Sequence, residues 1–586
     1  MEQGFNVVFQ PDGKRGKFQA NTNLLEAARS LGIDLNSVCG GVGACGKCVV
    51  RLVSGQVPSP SENERRFIDG ESLSRGFRLA CMITIGDELV VAVPSASRTG
   101  TQRLQTEGLE TDVPLSPLVS KRLVEGVTEI LYEGKVIRHI ESKDSQILGF
   151  AIDVGSTKLA GYLIDLSNGK TLSVATAMNP QVPYGEDIIS RIASAIRSER
   201  NNTVLHEMLI EGVRKLLEET CIEADQSIED VYDFVLVGNT AMQHFILGIN
   251  PRSISKNPFK PENIKARSLP PETLNLNSYA HVFIPPLIAG FVGADCVAAT
   301  LATGVDRANK MSFLMDIGTN TEILVGKHDH MVACSCASGP AFEGAHIKYG
   351  MRAASGAIEG VWINGETLEP KIKVIGDTYP RGLCGSGLID LLSEMLKTGI
   401  IDSSGRFRDF VHSRLRKKDG VKEYVVAWSS EAGLSEDISV TQKDVRELQK
   451  GKAAIFSGSY IVMTHLDLEP RKVEKVFIAG AFGTYINRES AQNIGMIPEF
   501  NLMNIEQVGN AAGTGARMAL LSKEKRIEAE KIPEKVEYIE LSTHPGYNQA
   551  YIDALMLPHR DLTLFPETVK RLETGNWIKA DRLHKY

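Results

Sequence analysis

Four of the nine cysteines fall before residue 82, at Cys39, Cys45, Cys48 and Cys81, with C-x5-C-x2-C spacing in the first three. Thiolates so placed can supply two sulfurs to each iron of a [2Fe-2S] rhombus, three from one loop and a fourth from a distant strand. The loop reads CGGVGACGKC. Gly40, Gly41, Gly43 and Gly46 let it fold tightly and turn backbone N–H groups toward anionic sulfur. A structural zinc site is the competing reading, but it favours paired C-x2-C knuckles, and only Cys45 and Cys48 have that spacing. The other cysteines read as packing. Cys221 and Cys296 have no cysteine neighbours; Cys334 and Cys336 alternate onto one face of a strand, and with Cys384 they are better explained as core than as a second redox or metal site. His328-Asp329-His330 sits where a hairpin turn is needed.

A second chemistry is written twice. Asp153-Val154-Gly155-Ser156-Thr157-Lys158 follows one apolar strand, and Asp316-Ile317-Gly318-Thr319-Asn320-Thr321 follows another, with the two aspartates 163 residues apart. Such a turn offers hydroxyls and backbone N–H groups to a phosphate, while its aspartate approaches a Mg2+ ion or its waters. One copy is a common turn; two copies facing each other grip a triphosphate from both sides. Two glycine turns follow. Gly385-Ser386-Gly387 opens a helix whose N-terminus suits anionic oxygens, and Gly480 to Gly483 end a buried strand.

The elements that must position these groups are legible in outline. Residues 5–10 and 16–20 read as a hairpin around Pro11-Asp12-Gly13, and Thr22 or Asn23 caps a helix that Gly32 ends. Residues 95–117 are polar and aperiodic, a linker; 118–145 form a junction with a helical stretch at 119–124 and a strand at 135–140. Strands are expected at 147–154, 159–164, 313–317 and 322–325. The expected division is a cluster domain at 1–94, linker and junction at 95–145, and two duplicated subdomains at 146–310 and 311–586, the second with a C-terminal extension. At 586 residues the chain exceeds one core. Sixty-five Lys+Arg against 72 Asp+Glu give a net charge of −7, which disfavours nucleic acid as a partner. No apolar run reaches the ~18 residues of a membrane span, and the start lacks a signal-peptide pattern, so a soluble, cytoplasmic protein with no membrane partner is expected.

The cysteine spacing, with its hairpin and helix, resembles the plant and adrenodoxin class of ferredoxins, implying a β-grasp α+β domain. The paired turns, with Val476-Phe477-Ile478-Ala479-Gly480, Val235 to Thr240 and Gly509 to Gly515 in order, resemble the acetate and sugar kinase, heat-shock chaperone and actin (ASKHA) superfamily. That implies a duplicated ribonuclease-H-like α/β ATPase in which the stretches at 235–240 and 509–515 are the connecting helices. The fusion, with the stretches at 285–295, 338–345 and 350–353, resembles the reductive activators of corrinoid proteins. Its stretch between cluster and first phosphate turn looks shorter than in the longest members, which carry a separate middle domain.

The resemblance implies ATP-dependent one-electron reduction of a methyltransferase system's corrinoid protein from Co(II) to Co(I), with a low-potential electron donor upstream and room for a homodimer. It implies Cys39, Cys45, Cys48 and Cys81 on the cluster and Asp153 and Asp316 at the catalytic turns. Gly155, Ser156, Thr157, Lys158, Gly318, Thr319, Asn320, Gly385, Ser386, Gly387, Gly480 and Gly483 would lie around Mg2+ and ATP. A plant-type cluster near about −400 mV is too weak a reductant for an unassisted Co(II) centre. Nucleotide-driven coupling of ~1–3 kcal/mol would offset a gap of order 100 mV. A small-molecule kinase would share the cleft and have no use for the cluster. An ATP-gated donor to another low-potential enzyme, of the 2-hydroxyacyl-CoA dehydratase activator kind, would share a [4Fe-4S] cluster between subunits. A ferredoxin with a nucleotide-sensing scaffold would show no corrinoid-dependent ATP turnover.

Overall fold

In the computed structural model the described residues are 4–10, 14–31, 33, 35, 41, 43, 46–94, 97, 113–141, 145–185, 187–274, 276, 279–376, 378–409, 411–480 and 483–574. The expected linker and the C-terminal dozen residues fall largely outside them, as do Cys39, Gly40, Cys45 and Gly32.

The cluster domain is a five-stranded sheet. Gly4–Gln10 pairs antiparallel with Lys14–Gln19 on one side and parallel with Leu89–Ala92 on the other; Val49–Ser54 and Phe77–Leu79 complete it. The helix Leu24–Ser30 buries Leu24, Leu25, Ala27 and Ala28 against this sheet, and Asn23 caps it by accepting from the Leu25 N–H. A helix crossing between strands that end up parallel is the β-grasp arrangement expected.

The junction differs from expectation. Val119–Val124 is a strand, paired with Val127–Tyr132, which pairs in turn with Lys135–Ile140. Only Val119 of that strand is buried, and the run 120–124 is exposed, so the local pattern carries no period-two signal; the pairing comes from the neighbouring hairpin. This small sheet has no core of its own: Val119 and Ile130 pack into the same apolar cluster as Tyr162 and Tyr232.

Two six-stranded sheets follow with one topology. In the first, Thr171–Met178, Lys158–Asp165 and Leu148–Val154 run antiparallel, then Val231–Gly238 and His281–Ile284 continue parallel. In the second, His330–Cys336, Thr321–Lys327 and Ser312–Ile317 run antiparallel, then Lys475–Ala479 and Ile505–Gly509 continue parallel. The duplicated motif therefore sits at the same hairpin of each sheet. Each sheet takes one extra edge strand, Arg267–Leu269 in the first and Val536–Tyr538 in the second.

The helices Ala294–Thr303 and Ala511–Leu521 pack against one another between the sheets. They approach so closely that a Cβ on Gly515 would collide with the Ala298 carbonyl. The helix opened by Asn510 was expected in this place, but its partner is Ala294–Thr303 rather than the helix Thr240–Ile246. Gly293 lets that helix begin hard against Gly238 and Asn239, where its ideal Cβ would lie 2.6 Å from the Gly238 carbonyl oxygen.

Candidate functional site

The two hairpin turns face one cavity of about 270 Å³. Strand Leu148–Val154 carries Asp153 to its rim, Gly155 turns the chain where a Cβ would sit 2.6 Å from the Lys158 carbonyl oxygen, and Ser156, Thr157 and Lys158 line the wall. Opposite, Ser312–Ile317 delivers Asp316, and the Gly318 N–H donates to the Asn320 carbonyl at 3.0 Å to close the second turn over Thr319 and Asn320.

The glycine turns supply the remaining walls. Gly385 and Ser386, the first residues of the helix Gly385–Lys397, line the wall together with its N-cap residue Cys384. Gly480 has φ +92°, and its ideal Cβ would lie 2.8 Å from Asp316 Oδ1. A side chain there would push the carboxylate aside. Gly387 and Gly483, also expected at the nucleotide, are not on the cavity wall: Gly387 packs against the Ile358 carbonyl, and an ideal Cβ on Gly483 would lie 2.8 Å from Ile478 Cγ2. Both serve close packing behind the site.

The electrostatics are unusual. Asp153, Asp295, Asp316 and Glu322 all line the cavity. Burial, then Asp295, pushes the Asp153 carboxyl up to about 7, against a hydrogen bond from Asn510 Nδ2 at 2.9 Å. Burial with Asp295 and Asp153 pushes Asp316 up to about 8, and burial with Asp295 and Asp316 holds Glu322 well above the usual range. Burial raises Asp295 to about 6, opposed by backbone donors that include the Cys296 N–H at 2.8 Å. On the cationic side, burial and then Arg352 lower Lys158 to about 8, with Glu343 acting the other way. Two cations and several acids crowded in one cleft suit a polyanion accompanied by a divalent cation.

Asp295, Glu322, Glu343 and Arg352 also line the cavity, without a role in the motif pattern. Glu343 accepts from Thr319 Oγ1 at 2.6 Å and so fixes the hydroxyl of the second turn. Arg352 Nη1 donates to Met178 Sδ at 3.1 Å, across the cleft mouth from one half to the other. Asn510 caps the helix Ala511–Leu521 through Gly513 N–H while holding Asp153. A signal existed: each acid or arginine stands inside a glycine-containing stretch.

In the cluster domain Cys48 and Cys81 are buried on neighbouring chain segments, joined by Ala80 N–H donating to the Cys48 carbonyl at 2.9 Å. Asn23 Nδ2 donates to the Cys81 carbonyl at 2.8 Å. Gly41, Gly43 and Gly46 all have positive φ, between +68° and +98°, and an ideal Cβ on Gly41 would lie 3.8 Å from Cys81 Cβ. The loop thus brings its main chain against Cys81, which fits a group held by Cys48, Cys81 and the loop thiols. Cys39 and Cys45 lie outside the described residues. Cys334 and Cys336 are core residues against Gly458, Cys384 stands apart on the cavity wall, and Cys221 and Cys296 are buried. Among the described residues no three acidic, thiol or imidazole groups converge closely enough to cage a metal alone.

The model of the 2Fe-2S iron-sulfur cluster binding domain matches residues 9–86, that of the RACo middle region matches 148–308, and that of the C-terminal domain of RACo, the ASKHA domain, matches 310–569. A corrinoid activation enzyme, RamQ, of Eubacterium limosum is 32% identical over 587 residues, covering 90% of this chain and 95% of its own length. The chain belongs to the RACo family of reductive activators. A Methanosarcina barkeri reductase of a methylated amine-specific Co(II) corrinoid protein is 26% identical over 69% of this chain and 76% of its own length. The solved reductive activator for a corrinoid, iron-sulfur protein superposes with a TM-score of 0.72 at 33% identity, over 96% of this chain and all of that one. The ferredoxin-type fold carries a [2Fe-2S] cluster and the ASKHA fold binds ATP. The RACo middle region falls on the first hairpin-bearing sheet. No helix among the described residues is long and apolar enough to cross a membrane.

Proposed function

We propose that this chain reduces the Co(II) corrinoid of a methyltransferase-system protein to Co(I), one electron at a time, at the expense of ATP. The observation that carries this reading is the pair of hairpin turns facing one cavity in the same chain as a thiolate-bearing β-grasp domain. A kinase has no use for the second, and a ferredoxin none for the first.

In this reading Cys39, Cys45, Cys48 and Cys81 hold the cluster, which when bound supplies a one-electron carrier of low potential. Ser156, Thr157, Thr319 and the N–H groups at Gly385 bind phosphate oxygens, and Lys158 and Arg352 neutralise them. Asp153 and Asp316 are the groups that would hold Mg2+; the cation would offset the burial and the Asp295 charge that raise both carboxyls. Glu343, held by Thr319, stands where it can orient a water. The proposed division is a cluster domain to residue 94, linker and junction to 145, and two ASKHA halves meeting at 310. An upstream low-potential donor reloads the cluster.

The test is anaerobic reduction of a Co(II) corrinoid protein followed by its absorption spectrum. Co(I) should form with reduced protein and ATP, and the yield should drop without ATP. Equal yields with ATP, without ATP and with Asp316→Ala would leave only a ferredoxin.

A further inference from the structure

Lys47 stands one residue before Cys48, on the cluster loop, and Gly46 with φ +68° sets its direction. Its Nζ reaches the second ASKHA half. It donates to the main-chain carbonyls of Ile347 at 2.8 Å, Lys348 at 3.1 Å and Gly350 at 3.3 Å. Three carbonyls of one short loop of the second ASKHA half thus stand within hydrogen-bond reach of one ammonium.

That loop is firmly held and leads directly into the nucleotide cavity. Lys348 N–H donates to Asp444 Oδ1 at 2.8 Å, Lys348 Nζ donates to Glu423 at 3.1 Å, and Tyr349 Oη donates to Glu436 at 2.8 Å. On its exit side Leu383 N–H donates to the Tyr349 carbonyl at 2.8 Å and Met351 N–H to the Leu383 carbonyl at 2.9 Å. Both strands then turn into the cavity wall, one as Met351 and Arg352, the other as Cys384, Gly385 and Ser386. The carbonyls that hold Lys47 thus lie one to five positions along the chain from Met351 and Arg352 on the cavity wall.

We propose that Lys47 is a positioning residue that couples docking of the cluster domain to occupancy of the nucleotide cleft. The proposal rests on the function given above. The docked ammonium fixes the loop in the arrangement that puts Arg352 in the cavity, so docking favours nucleotide binding. By reciprocity of binding free energies, nucleotide then holds the cluster domain down, and losing nucleotide loosens it. The physical wire is short: one ammonium, three carbonyls and one pair of adjacent strands.

The experiment uses the full chain with its cluster loaded, under anaerobic conditions, and AMP-PNP with Mg2+ as the probe. Calorimetric Kd values are compared for the parent, Lys47→Met and Lys47→Arg. The methionine variant should bind about five- to tenfold more weakly, at the low end of ordinary coupling; the arginine variant, still a donor, should recover most of the loss. Hydrogen exchange on the parent gives a second reading: AMP-PNP should slow exchange of amides at 46–52, which lie outside the cavity. Equal Kd in parent and Lys47→Met with the cluster spectrum unchanged overturns the coupling and leaves the proposed function standing. Should the methionine variant lose its cluster, the exchange result on the parent decides, and absence of protection at 46–52 overturns the coupling. A parent that binds no AMP-PNP overturns the proposed function together with it.

Discussion

The perturbation with the clearest arithmetic is pH acting on Lys158. Its ammonium begins the strand Lys158–Asp165 on the cavity wall, and burial together with the positive charge of Arg352 lowers it to about 8, against the pull of Glu343. At that value about nine-tenths of the side chains are charged at pH 7 and about one-tenth at pH 9. A bound polyphosphate stabilises the charged form, so the Lys158 pKa rises in the complex. The sign follows by linkage: nucleotide affinity is intact below pH 8 and is lost as pH climbs from the unbound value toward the bound one. By pH 9 the loss should be about tenfold, or ~1.4 kcal/mol, and binding at pH 8 should take up about half a proton.

Calorimetry of AMP-PNP at pH 7, 8 and 9, in buffers of different ionisation enthalpy, reads both numbers. Asp316 is held up to about 8 and titrates over the same range. Lys158→Arg separates the two, because its guanidinium stays charged while Asp316 is unchanged. The variant should therefore show the shallower pH slope. Identical slopes and identical proton uptake in parent and variant would refute the placement of Lys158 on the phosphates.

Three further outcomes are expected. Asp153→Ala and Asp316→Ala should each lower Mg2+-dependent ATP hydrolysis by about a hundredfold or more while the cluster stays reducible, because each carboxylate stands at a turn facing the cavity; parental rates in both would move the cleft elsewhere. Cys81→Ser, and Cys45→Ser from the same ligand set, should abolish the reduced-cluster EPR signal, and an unchanged signal would sink the ligand assignment. Asp233→Ala strands Arg526, whose Nη2 donates to Asp233 Oδ2 at 2.7 Å with both residues buried; it should cost about 3–5 kcal/mol in denaturant unfolding, and a loss under 1 kcal/mol would show that water reaches the pair.

The hairpins, both phosphate turns and the topology they imply were legible because each is local: an apolar strand, a glycine turn and a second strand within about twenty residues. The junction segment Val119–Val124, expected as helix, is a strand with five of its six residues exposed, and pairing with Val127–Tyr132 defines it. Asp295 was hidden for a different reason. An acid in the first turn of a helix reads as an ordinary dipole partner, and its place beside Asp153 and Asp316 comes from two helices meeting at Gly515. Gly387 and Gly483 were over-read, since a glycine motif does not reveal which of its members faces the ligand and which permits packing. Lys47 was invisible because its acceptors lie 300 to 303 residues away.

The duplication repeats the backbone and divides the chemistry. Lys158 in the first copy corresponds in register to Thr321 in the second, and Leu159 corresponds to Glu322. Thr321 is buried and pairs with Ser338 Oγ at 2.9 Å, so the second turn cannot present a cation there; it is braced from behind instead. Its acids, Glu322 and Glu343, stand on the wall opposite Lys158, and its own cation, Arg352, arrives from a separate loop. A symmetric site would bind a polyphosphate equally in either direction. With Lys158 on one wall, and acids plus a loop-borne cation on the other, the cavity is electrostatically asymmetric, and a polyphosphate held as proposed would take one direction. The loop-borne charge lies on the half that also carries the Lys47 cradle, so in the proposed coupling a change at the phosphate end would reach the loop that holds the cluster domain rather than the opposite sheet.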